Sequence, residues 1–193
     1  MARVKAFDPE LALSKAMAVF WEKGYAATSI QDLVTAMGIN RGSLYDTFQD
    51  KRQLYLRAIA HYHTTIVQAA ILPLRVPGAS RPEIEQHFMR LVESSPADVC
   101  RRGCFLTNSL VELASQDTEV ATVLRAGLQQ VEDAFFCALV RAQDKGEIST
   151  DKEIRSLAHY LVTSLQGLRV LSRIDADPAR CLLTVKLILS VLD

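Results

Sequence analysis

An all-α protein of nine helices is the fold class this sequence predicts, with a three-helix head over residues 1–52 and a larger helical domain over 53–193. Three observations predict it. Apolar residues recur at three- and four-residue spacing along most of the chain, the period of a helix with one buried face. The segments that carry this period open on capping residues and close on glycine, as helices do. Apolar residues make up 49% of the chain against only eight glycines and six prolines, so breakers are few, and no segment reads convincingly as a strand.

Taken in order, Asp8-Pro9 supplies a capping side chain followed by proline at the first helical position, and Gly24 is the matching stop. Leu13, Met17, Phe20 and Trp21 line one side of this first helix. Thr28 with Gln31 makes a capping box for the second, whose apolar face is Ile30, Leu33, Val34 and Met37, and Gly38 closes it. Asn40 then caps a third helix of about two turns, anchored inward by Leu44 and Phe48, four residues apart. Asp50 with Gln53 opens a long fourth helix to about Leu72. Pro73 to Ser80, with Pro77-Gly78, is the clearest breaker in the chain. Ser80 with Glu83 starts the next helix, to about Ser94. Further helices run from Cys104 to Ser115, from Asp117 to about Lys145 before Gly146, from a Thr150–Glu153 cap to about Arg173, and from Asp177-Pro178 to the end.

The third helix leaves Arg41, Gly42, Ser43, Tyr45 and Thr47 on its outer face. A guanidinium and three hydroxyls suit phosphate oxygens and base edges, and a glycine permits two backbones to approach. Net charge is zero, so any DNA contact has to be local. Up to Arg57 the chain holds eight Lys and Arg against six Asp and Glu, and the remainder fourteen against sixteen. Arg3 and Lys5 form a short basic arm ahead of the first helix, able to reach a groove or simply solvated.

These residues resemble the DNA-binding region of TetR/AcrR-type transcriptional repressors. That pattern runs from Thr-Ser/Thr-hydrophobic, through Gly-hydrophobic-Asn/Ser, to Leu-Tyr-x-x-Phe and a basic residue. It reads here as Thr28-Ser29-Ile30, Gly38-Ile39-Asn40, Leu44-Tyr45-Asp46-Thr47-Phe48 and Lys51. The likeness is close over about the first sixty residues and beyond them is one of length and helical layout. It implies a helix-turn-helix head with Thr28, Ser29, Arg41, Gly42, Ser43, Tyr45, Thr47 and Lys51 against an inverted-repeat DNA operator. Arg41 and Ser43 are candidates for base edges, and Thr28, Tyr45 and Lys51 for phosphates. Asp46 departs from the pattern, since many members carry His there. A carboxylate beside phosphates either pairs with Arg41 or Lys51 or selects against a base.

The last two helices, Ile154 to Arg173 and Asp177 to Leu192, are too apolar for a surface. Ile154, Leu157, Ala158, Leu161, Leu165, Leu168 and Leu171 form one stripe, and Leu182 to Leu192 is apolar nearly all round. A homodimer that pairs these helices into a four-helix bundle is the economical answer, and burial within one subunit is the alternative. Between head and bundle, the resemblance implies a pocket for a small organic effector, with Tyr62, His63, Phe88, Phe105, Asn108, Phe135 and Tyr160 as candidate lining and Thr107 and His87 as polar groups. Each aromatic also reads as ordinary core.

Cys100 and Cys104 flank Arg101 and Arg102, and Cys104 sits at a helix start. Both influences favour a thiolate, so a redox- or electrophile-sensing repressor is an alternative, beside inert buried thiols. The four cysteines match no zinc spacing, and no metal, cofactor or enzymatic role is expected, since nothing near Cys104 supplies a positioned base. No signal peptide or membrane span is visible, which points to the cytoplasm. A purely protein-binding helical adaptor would use the same apolar helices but gives no reason for the hydroxyl-rich face from Arg41 to Thr47.

Overall fold

A computed structural model describes residues 7–93, 102–174 and 177–193, and among them there are nine helices and no strand. They are α1 (Pro9–Lys23), α2 (Ile30–Met37), α3 (Arg41–Phe48), α4 (Lys51–Tyr62, a π turn His63–Val67, then Gln68–Arg75), α5 (Arg81–Glu93), α6 (Phe105–Leu113), α7 (Thr118–Asp144), α8 (Ile154–Leu171) and α9 (Pro178–Leu189), with a final 3-10 turn Ser190–Leu192. The basic arm with Arg3 and Lys5, and Cys100 with Arg101, lie outside the described residues.

Most starts fall where the sequence places them. Asp8 accepts from Glu10 and Leu11 N–H, Asn40 from Ser43 and Asp50 from Gln53, each satisfying an orphan amide of a first turn. Three details are corrected. The box that starts α2 is Ser29 with Asp32, not Thr28 with Gln31, because the Thr28 hydroxyl turns inward and donates to Gly24 O at 2.5 Å. α8 is capped by Glu153 itself, whose carboxylate accepts from Arg155 and Ser156 N–H, rather than by Thr150. Pro73 does not end α4. It forfeits one intrahelical bond, yet the helix runs on to Arg75, and Arg141 of α7 donates to the carbonyls of Leu74 in its last turn and Ala79 beyond it, at 2.6 and 2.5 Å.

α1 packs on α2 and on the first half of α4, so the head borrows the start of the long helix. The 27-residue α7 runs through the body with α4, α5, α6 and α8 against it, while α9 packs mainly on α5. Head and body share one core. Phe20, Tyr55, Phe105, Tyr62 and Trp21 form an unbroken series of ring contacts, with centroids 4.9–5.6 Å apart. Polar ties reinforce it. The Glu112 carboxylate on α6 accepts from the N–H of Tyr25 and Ala26, 2.9 and 2.7 Å away, and Arg52 on α4 forks onto Asp117 at 2.7 and 2.9 Å while reaching Glu119 at 2.7 Å. Arg52 holds the Asp117 carboxyl down at about 2.

Candidate nucleic-acid interface and effector cavity

α3 presents the face the sequence predicts. Leu44 and Phe48 are fully buried and fix the helix on the head, while Arg41, Gly42, Tyr45 and Asp46 are exposed and Ser43 and Thr47 half-exposed. Arg41 Nη2 donates to Gln31 Oε1 at 3.3 Å, so α2 orients the guanidinium. Asp46 takes neither expected partner, and among the described residues it makes no ion pair. Gly42 has a local reason as well, since a Cβ there would come 3.3 Å from the capping Asn40 Oδ1.

Three of the expected contacts are differently employed. Thr28 is 1% exposed with its hydroxyl spent on Gly24 O, so its side chain does not reach a phosphate in this arrangement, a correction that follows from the cap having moved to Ser29. Ser29 remains exposed but its hydroxyl is bonded to Asp32. Lys51 Nζ lies 4.4 Å over the Tyr25 ring, and partial burial holds its ammonium below the usual pKa. Arg57, which the sequence does not single out, donates to Thr47 O at 3.2 Å and covers the Phe48 ring. It belongs to α4, nine residues after the reading helix ends, and only folding brings it there.

The link from α3 to α4 is one strained residue. Gln49 has φ +72° and ψ −68°, and Asp50 N–H bonds back to Phe48 O at 3.0 Å, a three-residue γ-turn of the positive-φ kind that side-chain-bearing residues rarely adopt. The turn sets the angle of α3 against the helix that leaves the head.

That helix passes a cavity of about 330 Å³ in the body. Tyr62 and Ile66, either side of the start of the π turn, form one wall; Trp21 of α1, Cys104 at the head of α6, His87 and Arg90 of α5, Arg169 of α8 and Cys181 of α9 close it. π turns inside α-helices gather at functional sites. Of the seven residues expected to line a pocket, Tyr62 alone is among the described residues that line this cavity. Phe88, Phe105 and Phe135 are ring-packed core. His63 faces α7, where Gly127 leaves room for it, and bonds to Gln68. Asn108 bridges Arg102 O and Arg173. Tyr160 is exposed on the outside of α8. The sequence carries no signal for Trp21, Arg90, Arg169 or Cys181, because each comes from a different helix.

Burial, with Arg169 and Arg90 nearby, brings the His87 imidazole down to about 4 against an opposing hydrogen bond to Ala70. For Cys104 burial works against ionisation, yet Arg169 and hydrogen bonds from Thr107 and Tyr62 hold its thiol below the ordinary value. Tyr62 O–H points to Cys104 Sγ at 3.8 Å.

The expected dimer helices need a correction of face. Ile154, Leu157, Ala158, Leu161 and Leu165 are buried within the subunit against α7. What stays uncovered is a second stripe on α8 and just beyond it, Tyr160, Val170, Leu171 and Ile174, together with Leu183 and Leu187 of α9, the last 73% exposed. Gly167 lies within this stripe with open space above it. No helix among the described residues is long and apolar enough to cross a membrane.

Known proteins share this layout. The family model for bacterial regulatory proteins of the tetR family matches residues 12–58, and that for a tetracycline repressor-like C-terminal domain matches residues 81–186. The helix-turn-helix-type transcriptional regulator YezE of Bacillus subtilis is 38% identical over 194 aligned residues, covering 100% of both chains. The transcriptional repressor ComR of Escherichia coli is 28% identical over 91% of this chain and 84% of its own. Among solved structures, a cysteine mutant of the TetR family regulator CifR, complexed with 26-base-pair operator DNA, aligns with a TM-score of 0.87 and 28% identity over 99% of this chain and 100% of that one.

Proposed function

The chain belongs to the TetR family and is a DNA-binding transcriptional regulator, and from that premise we propose that it is an effector-controlled repressor that binds an inverted-repeat operator as a homodimer in the cytoplasm. One observation carries the reading. α3 is pinned by two buried side chains while Arg41 and Tyr45 stand outward, a rigid two-turn surface sized for the major groove. Arg41 and Ser43 read base edges; Tyr45, Thr47 and Lys51 hold phosphates, with Arg57 beside them, and Ser29 and Gly42 border the contact. The solved likeness with operator DNA bound supports this assignment.

The second apolar stripe supports the dimer. Val170, Leu171, Leu183 and Leu187 exposed together form a patch that a soluble monomer seldom leaves open, and Gly167 lets a partner helix come close. Leu183→Glu with Leu187→Glu should give monomers in sedimentation and no operator binding at concentrations where wild type is saturated. Effector in the cavity would press on Tyr62 and Ile66, change α4 at its π turn, and so alter the spacing of the two heads. Release from DNA follows only if the ligand prefers the non-binding spacing.

Binding to the DNA upstream of its own gene, measured by fluorescence anisotropy over a salt series, tests the whole. Tyr45→Ala should weaken operator and random DNA alike, whereas Arg41→Ala should also lose discrimination between them. Unchanged discrimination in Arg41→Ala would remove Arg41 from base reading. A second reading rests on Cys104, whose thiol faces the cavity with its pKa lowered: a thiol-reactive effector would add to it. Iodoacetamide that lowers operator affinity of wild type but not of Cys104→Ser would favour that reading.

A further inference from the structure

The cavity joins an apolar wall to positive charge that no acidic group among the described residues neutralises. Arg169 lines it, half-buried, and among the described residues its guanidinium makes no hydrogen bond and no ion pair. Arg90 lines it too and bonds only to the neutral Gln86. No Asp or Glu is among the described residues that line it.

This is out of keeping with the rest of the molecule. The other half-buried arginines are all engaged: Arg52 on Asp117 and Glu119, Arg81 on Glu85 and Asp193, Arg141 on two carbonyls, Arg102 over the Trp21 ring. No side-chain nitrogen or oxygen among the described residues is buried without a partner, so the half-buried guanidinium of Arg169 keeps its N–H groups accessible, open to an acceptor that enters the cavity. The two titratable neighbours feel the same charge. Burial first and Arg169 second push His87 toward its neutral form, and against burial Arg169 pulls Cys104 toward its thiolate.

Resting on the reading of this cavity as the effector site, we propose that the effector is a small organic acid whose carboxylate binds Arg169, with Arg90 as a second positive charge and the hydrocarbon part against Trp21, Tyr62 and Ile66. A guanidinium matches a carboxylate with two parallel N–H bonds, which an amide or alcohol of the same shape cannot reproduce. Enclosed apolar walls favour an organic acid over inorganic phosphate. The placement also explains how the signal would leave the cavity. The charge is held on α8 of the body, while the hydrocarbon touches α1 and α4, the two helices that carry the head.

Trp21 is the only tryptophan in the chain and it lines the cavity, so its fluorescence in the full-length protein reports occupancy directly. Benzoate, phenylacetate, hexanoate and octanoate, each titrated against its primary amide, are the probes. The acids should perturb Trp21 at concentrations at least about tenfold lower than their amides. Arg169→Met should erase that preference, Arg169→Lys should keep part of it, and thermal melts of both variants verify the fold. Amides binding as tightly as acids, an acid preference that survives in Arg169→Met, or no response to any acid would each overturn the proposal. Operator release, followed in parallel, separates the two readings. Amides that release DNA while acids do not would sink the acid and leave the effector cavity standing. Acids that bind through Arg169 without changing operator affinity would leave the anion site and sink its role as the effector site.

Discussion

The reading helix and the cavity are built on opposite plans. α3 is eight consecutive residues in which position along the chain decides position on the surface: Leu44 and Phe48 in, Arg41 and Tyr45 out. The cavity takes its wall from α1, α4, α5, α8, α9 and the two residues before α6, so its neighbours in space are strangers in sequence. A surface of the first kind can change its chemistry one residue at a time without disturbing what lies beneath. A cavity cannot, because each wall residue also packs a helix. α4 joins the two, capped by Asp50 in the head and lined up with the cavity twelve residues later at Tyr62.

The contrast can be broken hardest at its anchor. Leu44→Ala should cost about 3 kcal/mol in urea unfolding, because a fully buried leucine leaves a void, and operator binding should fall with it although no outward group has changed. Next is the tie between the regions. Glu112→Ala removes the acceptor for Tyr25 and Ala26 N–H and should cost about 2 kcal/mol, with faster hydrogen exchange in the α1–α2 loop. If the head then unfolded in a separate transition, the shared core would prove too weak to couple head and cavity.

A smaller effect probes the cavity wall alone. His87 titrates near 4 when folded and near 6.5 when unfolded, so the unfolded chain takes up the proton first and stability is lost as the pH falls through that window. Between pH 6.5 and 5 the loss from this residue should be about 1.5 kcal/mol, read as the difference in pH dependence between wild type and His87→Asn. Parallel profiles would mean that His87 is not neutralised by its site. Smallest is the turn at Gln49. Gln49→Gly should leave the fold intact and raise stability by about 0.5–1 kcal/mol, since glycine adopts positive φ without strain. A weakened operator complex in that variant would show that the stiffness of this turn, and not only the face of α3, serves DNA binding.

The head was legible because its signals are local. Asn40, Gly38, Leu44 and Phe48 act on residues within one or two turns, and the structure keeps all of them. The shift of the α2 cap from Thr28 to Ser29 shows where such reading ends. Both residues can cap, and what decides is that Thr28 finds an acceptor in Gly24 O, a backbone atom freed by the end of α1. The same limit appears on α8, where the more regular apolar stripe faces α7 and the uncovered face falls to residues that look incidental in sequence, such as Gly167 and Ile174.

The amino-acid order by itself determined the nine helices of the described residues, most of their caps and the outward chemistry of α3, since hydrogen bonds and apolar periods within a helix depend on residues a few positions apart. Which aromatics become core, which meet the cavity, and which half-buried arginine is left without a partner among the described residues were decided only when helices distant in sequence packed together. Burial and pairing belong to the whole set of neighbours, and no stretch of chain holds that set on its own.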